Sequence, residues 1–294
     1  MEEITLKAMA KINLGLDVIR RREDGYHEVR MIMQTVNLYD ELTFRKQQGG
    51  RVRLTTNLRS LPTDGHNLIV KTVELLRKEY GIKEGLSVHL KKKIPVAAGM
   101  AGGSTDAAAA FAGMNELFDL GMTIEDMQKK AVAIGADVPY CIQGGTALSE
   151  GIGEILTPLP SAPRCSVIIA KPPIHVSTRF VYENLHLDKL EKHPDIDGIL
   201  DSIREGNIRG VAERLENVLE TVTEKEYPVI GQIKQFLMQR GALGALMSGS
   251  GPTVFGLFTN PRAAEAAYEA LRFGKYAKLA KQVYLTGFYN VKRD

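Results

Sequence analysis

Residues 95–110 read Pro-Val-Ala-Ala-Gly-Met-Ala-Gly-Gly-Ser-Thr-Asp-Ala-Ala-Ala-Ala, a glycine-studded loop that passes straight into an alanine-rich helix. Leu86, Val88 and Leu90 alternate ahead of it, so the segment is strand, glycine loop, helix. Glycines let a backbone approach a ligand and turn its N–H groups inward, and a helix start adds free N–H groups and the positive end of its dipole. That is an anion cradle, with Ser104, Thr105 and Asp106 at the helix start and Ser104 or Thr105 in position to touch a magnesium ion. The same spacing also suits a flexible loop leading into a Ser/Asp-capped helix. No Gly-Lys-Ser/Thr follows the glycines and no Gly-x-Gly-x-x-Gly occurs, which sets aside the common P-loop and the dinucleotide fingerprint.

Ahead of this segment, Ile4, Leu6, Ala8, Ala10, Ile12, Leu14, Leu16 and Val18 alternate with mostly polar residues, the period of a strand. Its second face carries Lys11 and Asn13 two residues apart, where both can meet one ligand. A turn at 20–25 and further strand at 29–45, broken at 37–41, make the opening β-rich. Asn67 precedes Leu68, Ile69, Val73, Leu76 and Tyr80 at helical spacing, and Gly81 closes that helix. Pro158, Pro160 and Pro163 cluster at 156–164, where we place a lobe boundary. Beyond it the pattern predicts helices at 208–222 and 229–240, strands at 242–247, 253–258 and 282–287, and a helix from Asn260-Pro261 to about Arg272.

The 294 residues suit two lobes, and 44% hydrophobic with 25% charged residues is the balance of a folded chain with an interior. Lys+Arg of 38 against Asp+Glu of 35 is too even for a nucleic-acid or anionic-membrane binder, so an anionic ligand has to be bound locally. Two cysteines, Cys141 and Cys165, make no disulfide framework, no apolar run reaches membrane-spanning length, and Met1 to Leu6 is expected to run straight into strand rather than to form a leader. The expected compartment is the cytoplasm.

Other chemistry-bearing residues are ambiguous alone. Asp137, in Gly135-Ala-Asp-Val-Pro139, is a helix N-cap or a general base, and both can hold. Lys11 and the run at 91–93 read most simply as solvated lysines, and Tyr26-His27 as a hairpin exit. Residues 248–251, between two strands, form a glycine hairpin or a phosphate or substrate contact, and they do not match the Gly-x-Ser-x-Gly nucleophile elbow. Six scattered histidines show no zinc-ligand spacing.

Three segments stand in one order: Ala8-x-Ala-Lys-Ile-Asn-Leu14, the 95–108 loop, and Leu246-Met-Ser-Gly-Ser-Gly-Pro252. In that combination the chain resembles, over nearly its whole length, the GHMP kinase family of galactokinase, homoserine, mevalonate and phosphomevalonate kinases. Asp24-Gly-Tyr-His27, Gly135-Ala-Asp-Val-Pro139 and Gly151-Ile-Gly-Glu-Ile155 narrow the resemblance to a branch whose acceptor alcohol carries a cytidine diphosphate group. The resemblance implies an α+β fold of two lobes: an S5 domain 2-like N-terminal lobe (1–160) that binds ATP, and a ferredoxin-like C-terminal lobe (161–294) for the acceptor. The last strand, about 282–290, would return to the first lobe.

Carried over position by position, the resemblance implies Lys11 and Asp137 as the catalytic residues. Pro95, Val96, Ala97, Ala98, Gly99, Met100, Ala101, Gly102, Gly103, Ser104 and Thr105 would wrap the phosphates of ATP, with Asn67 near the adenine. Tyr26, His27, Thr178 and Tyr182 would meet the cytidine and Asn13 the sugar-alcohol end, and Mg2+ would touch Ser104. Ala98 and Met100 stand where the family more often has Gly or Leu. Competing expectations are a kinase for another small alcohol, a nucleotide-binding module without turnover, and an RNA-binding relative of the S5-like lobe. Intact Lys11 and Asp137 weigh against the second, and near-neutral charge against the third. Partners reduce to a small-molecule substrate, with no nucleic acid or membrane, and the oligomeric state is left between monomer and weak dimer.

Overall fold

The computed structural model describes residues 1–291. Its elements begin with β1 (Glu3–Arg21), β2 (His27–Gln47), β3 (Val52–Thr56), α1 (Leu68–Tyr80), β4 (Gly85–Lys91), α2 (Gly102–Phe118), α3 (Ile124–Ala131) and α4 (Val138–Gln143). There follow β5 (Thr146–Glu150), β6 (Ile155–Pro158), β7 (Ser166–Lys171), α5 (Thr178–Glu183), α6 (Ile196–Arg204), α7 (Ile208–Glu213) and β8 (Glu216–Asn217). The chain closes with α8 (Glu220–Glu226), α9 (Val229–Gln239), β9 (Gly244–Met247), β10 (Val254–Phe258), α10 (Pro261–Arg272) and β11 (Gln282–Gly287). They pack into two compact units, one of residues 1–10, 38–96 and 101–143, the other of 11–37, 97–100 and 144–294.

In the first unit the strand order is β3-β4-β2-β1. β3 runs parallel to β4, with α1 as the crossover, while β2 pairs antiparallel with β4 from Glu41↔Lys91 to Gln47↔Gly85. α1 forms where the sequence predicts it. The Asn67 side chain accepts from the Ile69 N–H, and Gly81 closes the helix at φ 65°. Ile69, Val73 and Leu76 face inward against α2, whose alanines at 107–110 are all buried, so small side chains let neighbours approach on nearly every side. A Cβ on Gly113 would stand 2.8 Å from the Phe44 ring, so that glycine is the seat of the ring.

In the second unit β5 pairs with the first part of β2 and β6 with β5, and β8 runs parallel to β1 through Gly15↔Glu216 and Leu16↔Asn217. A separate antiparallel sheet has the order β11-β7-β10-β9. Numbered along the chain this is 4-1-3-2, the ferredoxin-like order, with α9 and α10 packed against it. α10 begins at Pro261, and Asn260 accepts from the N–H groups of Arg262 and Ala263, as its cap spacing predicts. β11 pairs with β7, and beyond it Phe288 bridges Val36 and the Tyr289 N–H donates to the Thr35 carbonyl.

Three local expectations need correction. β2 is continuous through 37–41, because Asp40 takes an inward position in register with Val36, Leu38, Leu42 and Phe44. The helix expected at 208–222 is two helices parted by β8, since Asn217 pairs with Leu16 and its amide donates to the carbonyls of Met247 and Gly249. β1 has no solvated face over residues 8–18, where Lys11, Asn13 and Asp17 are as buried as the apolar residues between them. Among the described residues no helix is long and apolar enough to cross a membrane.

Candidate active site

The loop ahead of α2 changes handedness at alternate residues: Ala97, Gly99 and Ala101 have φ of 48°, 71° and 55°, while Ala98 and Met100 do not. Alternation of this kind turns successive N–H groups to one concave side, the geometry of an anion nest. Two of the three left-handed residues are alanines, each costing about 1 kcal/mol in this conformation. Among the described residues, no backbone N–H of 96–104 donates to another protein group. Ala101 caps α2 with no side-chain hydrogen bond, so the expected Ser/Asp cap does not form. Thr105 is turned inward, its hydroxyl on the Met9 carbonyl at 2.6 Å and its N–H on the Ala101 carbonyl at 2.8 Å. The half-buried Ser104 makes no side-chain hydrogen bond among the described residues, which leaves its hydroxyl for a ligand or a phosphate-borne metal.

Residues 97–100 belong to the second unit, and there the three sequence segments meet. The Lys11 N–H donates to the Met100 carbonyl at 3.3 Å, and Lys11 Nζ donates to Asn13 Oδ1 at 2.8 Å. Lys11 is 4% exposed and Asn13 fully buried, which replaces the solvated-lysine reading with an ammonium held by a polar partner inside the strand. Ser248 Oγ donates to the Gly99 carbonyl at 2.9 Å. A Cβ on Gly99 would stand 1.9 Å from the Ser248 carbonyl oxygen, so glycine is required there, and one on Gly249, at φ 57°, would crowd the Gly99 carbonyl oxygen at 3.2 Å. The 248–252 turn is held from behind by Asn217 and by Glu220, which accepts the Met247 N–H at 2.8 Å. Burial raises the Glu220 carboxyl above its ordinary value, against the opposing pull of Lys234.

The expected cytidine residues gather in the same unit. His27 and Tyr182 stack at 5.0 Å between ring centroids, and Tyr26 beside them is 61% exposed. Thr178 lies one turn before Tyr182 on α5, and its hydroxyl shares a 2.8 Å hydrogen bond with Ser250. A chain of contacts thus runs from the ring pair through α5 and the 248–252 turn to the glycine loop. Burial first, and the Arg21 charge second, lower the His27 imidazole below its ordinary range, so the ring at the stack is neutral at pH 7.

The remaining predicted residues fall in the first unit. Asn67 is committed to the α1 cap and donates to the Pro62 carbonyl, and Leu68 beside it lies 3.7 Å from where a Cβ on Gly103 would stand. Asp137 is half-buried immediately before α4, its carbonyl accepting the Cys141 N–H. Lys92 is a further polar group that the sequence reading took for solvated. It is buried between Asp40 and Asp106. The signal was present: Leu86, Val88 and Leu90 point inward, and Lys92 keeps their parity.

Family models for the GHMP kinases N terminal domain and the GHMP kinases C terminal match residues 67–145 and 199–277. The chain belongs to the GHMP kinase family, and it is a small-molecule kinase with an alcohol acceptor. A 4-diphosphocytidyl-2-C-methyl-D-erythritol kinase of Lachnoclostridium phytofermentans is 52% identical over 99% of this chain and 99% of its own. The protein of that name from Lachnospira eligens is 52% identical over 97% and 98%. Among solved structures, a 4-(cytidine 5'-diphospho)-2C-methyl-D-erythritol kinase superposes with a TM-score of 0.83 at 29% identity, covering 98% of this chain and 100% of its own. A homoserine kinase from Cytophaga hutchinsonii, at 23% identity, shares the fold with a TM-score of 0.79 over 97% and 95% of the two chains.

Proposed function

We propose that this kinase transfers the γ-phosphate of ATP to the 2-hydroxyl of 4-diphosphocytidyl-2-C-methyl-D-erythritol, a step in non-mevalonate isoprenoid precursor synthesis. The observation that carries the reading is the His27–Tyr182 ring pair, linked through Thr178 and Ser250 to a loop rich in unpartnered N–H groups. A nucleoside-bearing acceptor needs an aromatic platform, and a small amino-acid or hydroxy-acid acceptor does not. The near-full-length relatives of that name support the same acceptor.

In this reading the N–H groups from residue 96 onward hold the phosphates, Asn67 and Pro95 lie toward the adenosine, and Ser104 meets the magnesium ion that arrives with ATP. Among the described residues no cluster of three or more His, Cys, Asp or Glu side chains is gathered to hold a metal. The N–H groups offset the charge of a loose, in-line transfer, and a magnesium ion held at Ser104 would supply further charge neutralisation. Asp137 takes the hydrogen bond or proton of the attacking hydroxyl, and Lys11 contributes a fixed positive charge. Asn13 positions the sugar-alcohol end, with Tyr26, His27, Thr178 and Tyr182 on the cytidine. Residues 1–160 then supply most nucleotide contacts and 161–294 the α5 side of the acceptor site, in a cytoplasmic enzyme.

The test is inhibition by cytidine 5'-diphosphate. It should compete with the acceptor and not with ATP, and His27→Ala should weaken it about tenfold. Competition with ATP alone, or no inhibition, would remove the cytidine assignment.

A further inference from the structure

A buried ionic cluster grips both ends of the glycine loop. Lys92 Nζ donates to Asp40 Oδ2 at 2.5 Å, to Asp106 Oδ2 at 2.6 Å and to the Gly102 carbonyl at 2.8 Å, which uses all three of its protons. Asp40 Oδ1 in turn accepts the N–H groups of Lys93 and Ile94. Lys92, Lys93 and Ile94 lead into the loop, and Gly102 and Asp106 lie in the first turns of α2 that leaves it. Gly102 is a tight seat, since a Cβ there would stand 3.0 Å from Lys92 Nζ and 3.1 Å from the Ile94 side chain. Lys92, Asp40 and Asp106 are 7%, 0% and 4% exposed, so water contributes little to holding them.

We propose that Lys92, Asp40 and Asp106 form a clasp that fixes the spacing of the two loop stems, and that they are positioning residues for the grip on nucleotide phosphate. The inference rests on the reading of residues 96–104 as the phosphate loop. Asp106 is held through Oδ2 by Lys92, while its buried Oδ1 has no hydrogen-bond partner among the described residues, so the grip on α2 passes through Lys92.

The experiment compares Asp106→Asn, Asp106→Ala and Lys92→Met in the full-length enzyme. It measures the KM for ATP and for the acceptor, kcat, and calorimetric binding of the non-hydrolysable analogue AMP-PNP. A carboxamide keeps the shape of the side chain and an acceptor oxygen for Lys92, so Asp106→Asn should bind the analogue within about twofold of the parent enzyme. Asp106→Ala and Lys92→Met should each weaken it about tenfold and raise KM for ATP alike, with acceptor KM unchanged. Asp106→Asn as damaging as Asp106→Ala would overturn the clasp, since the acceptor for Lys92 is kept in one and lost in the other, and equal losses for ATP and acceptor would overturn positioning. If the alanine and methionine variants do not fold, Asp106→Asn decides, because a tenfold loss there would show that keeping the hydrogen bond to Lys92 does not preserve the grip. Failure of the parent enzyme to bind AMP-PNP would instead refute the phosphate-loop reading.

Discussion

Lys11 and Asp137 stand in different physical settings, and those settings shape what their substitutions should do. Asp137 is half-buried ahead of a short helix, so Asp137→Asn should lower kcat by about 100-fold or more while the thermal midpoint stays within a few degrees of the parent. Turnover near the parent value would take Asp137 out of the chemistry. Lys11 is enclosed in β1 and bonded to Asn13, so Lys11→Met should lower both kcat and stability, because Asn13 Oδ1 loses its donor in the interior. His27 offers a titration. Its folded value lies below its unfolded one, so the unfolded chain binds more protons in that window. The stability His27 contributes is complete above the unfolded value and is lost as pH falls from there through the folded value. By NMR its midpoint should lie below the ordinary 6.5, and Arg21→Gln should recover only the smaller part of the shift, since burial is the larger cause. A midpoint above 6.5 would contradict the buried, neutral ring.

At the scale of elements, the loop, the 248–252 turn and α2 act together through close backbone approach. Gly99→Ala places a methyl group 1.9 Å from the Ser248 carbonyl oxygen, so one backbone must move. KM for ATP should rise by about tenfold or more, which steady-state kinetics would read, and an unchanged KM would mean that the turn gives way freely. Phe111→Ala, in the fully buried core beside α1, should cost about 3–5 kcal/mol in denaturant unfolding. Elements with their own punctuation were legible in the sequence: Asn67 and Gly81 delimit α1, and Asn260 with Pro261 starts α10. Three strands of the second sheet, at 242–247, 253–258 and 282–287, were legible as well, while β7, which pairs with two of them, was not. What was not legible depends on partners distant in the chain. Asp40 looked like a break and Lys92 like a solvated strand end, because only the fold brings Asp40, Lys92 and Asp106 together. Asn217 interrupts a helical pattern for hydrogen bonds to residues about thirty positions away. For the site, the spacing of 95–105 supplied the loop, but its alternating handedness and the inward turn of Thr105 are properties of the folded backbone alone.

For the whole molecule, the family relationship settles the class of reaction, and the near-neutral charge of the chain means that the proposed phosphate and cytidine contacts have to be local rather than spread over a positive surface. The central claim is the acceptor. The most direct measurement is ADP release by the purified chain with ATP and magnesium, given 4-diphosphocytidyl-2-C-methyl-D-erythritol, homoserine, mevalonate or no acceptor in parallel. The account predicts turnover with the cytidyl acceptor and background rates in the other three arms. Turnover with homoserine or mevalonate in preference to the cytidyl compound, or none with any acceptor despite bound ATP, would contradict it.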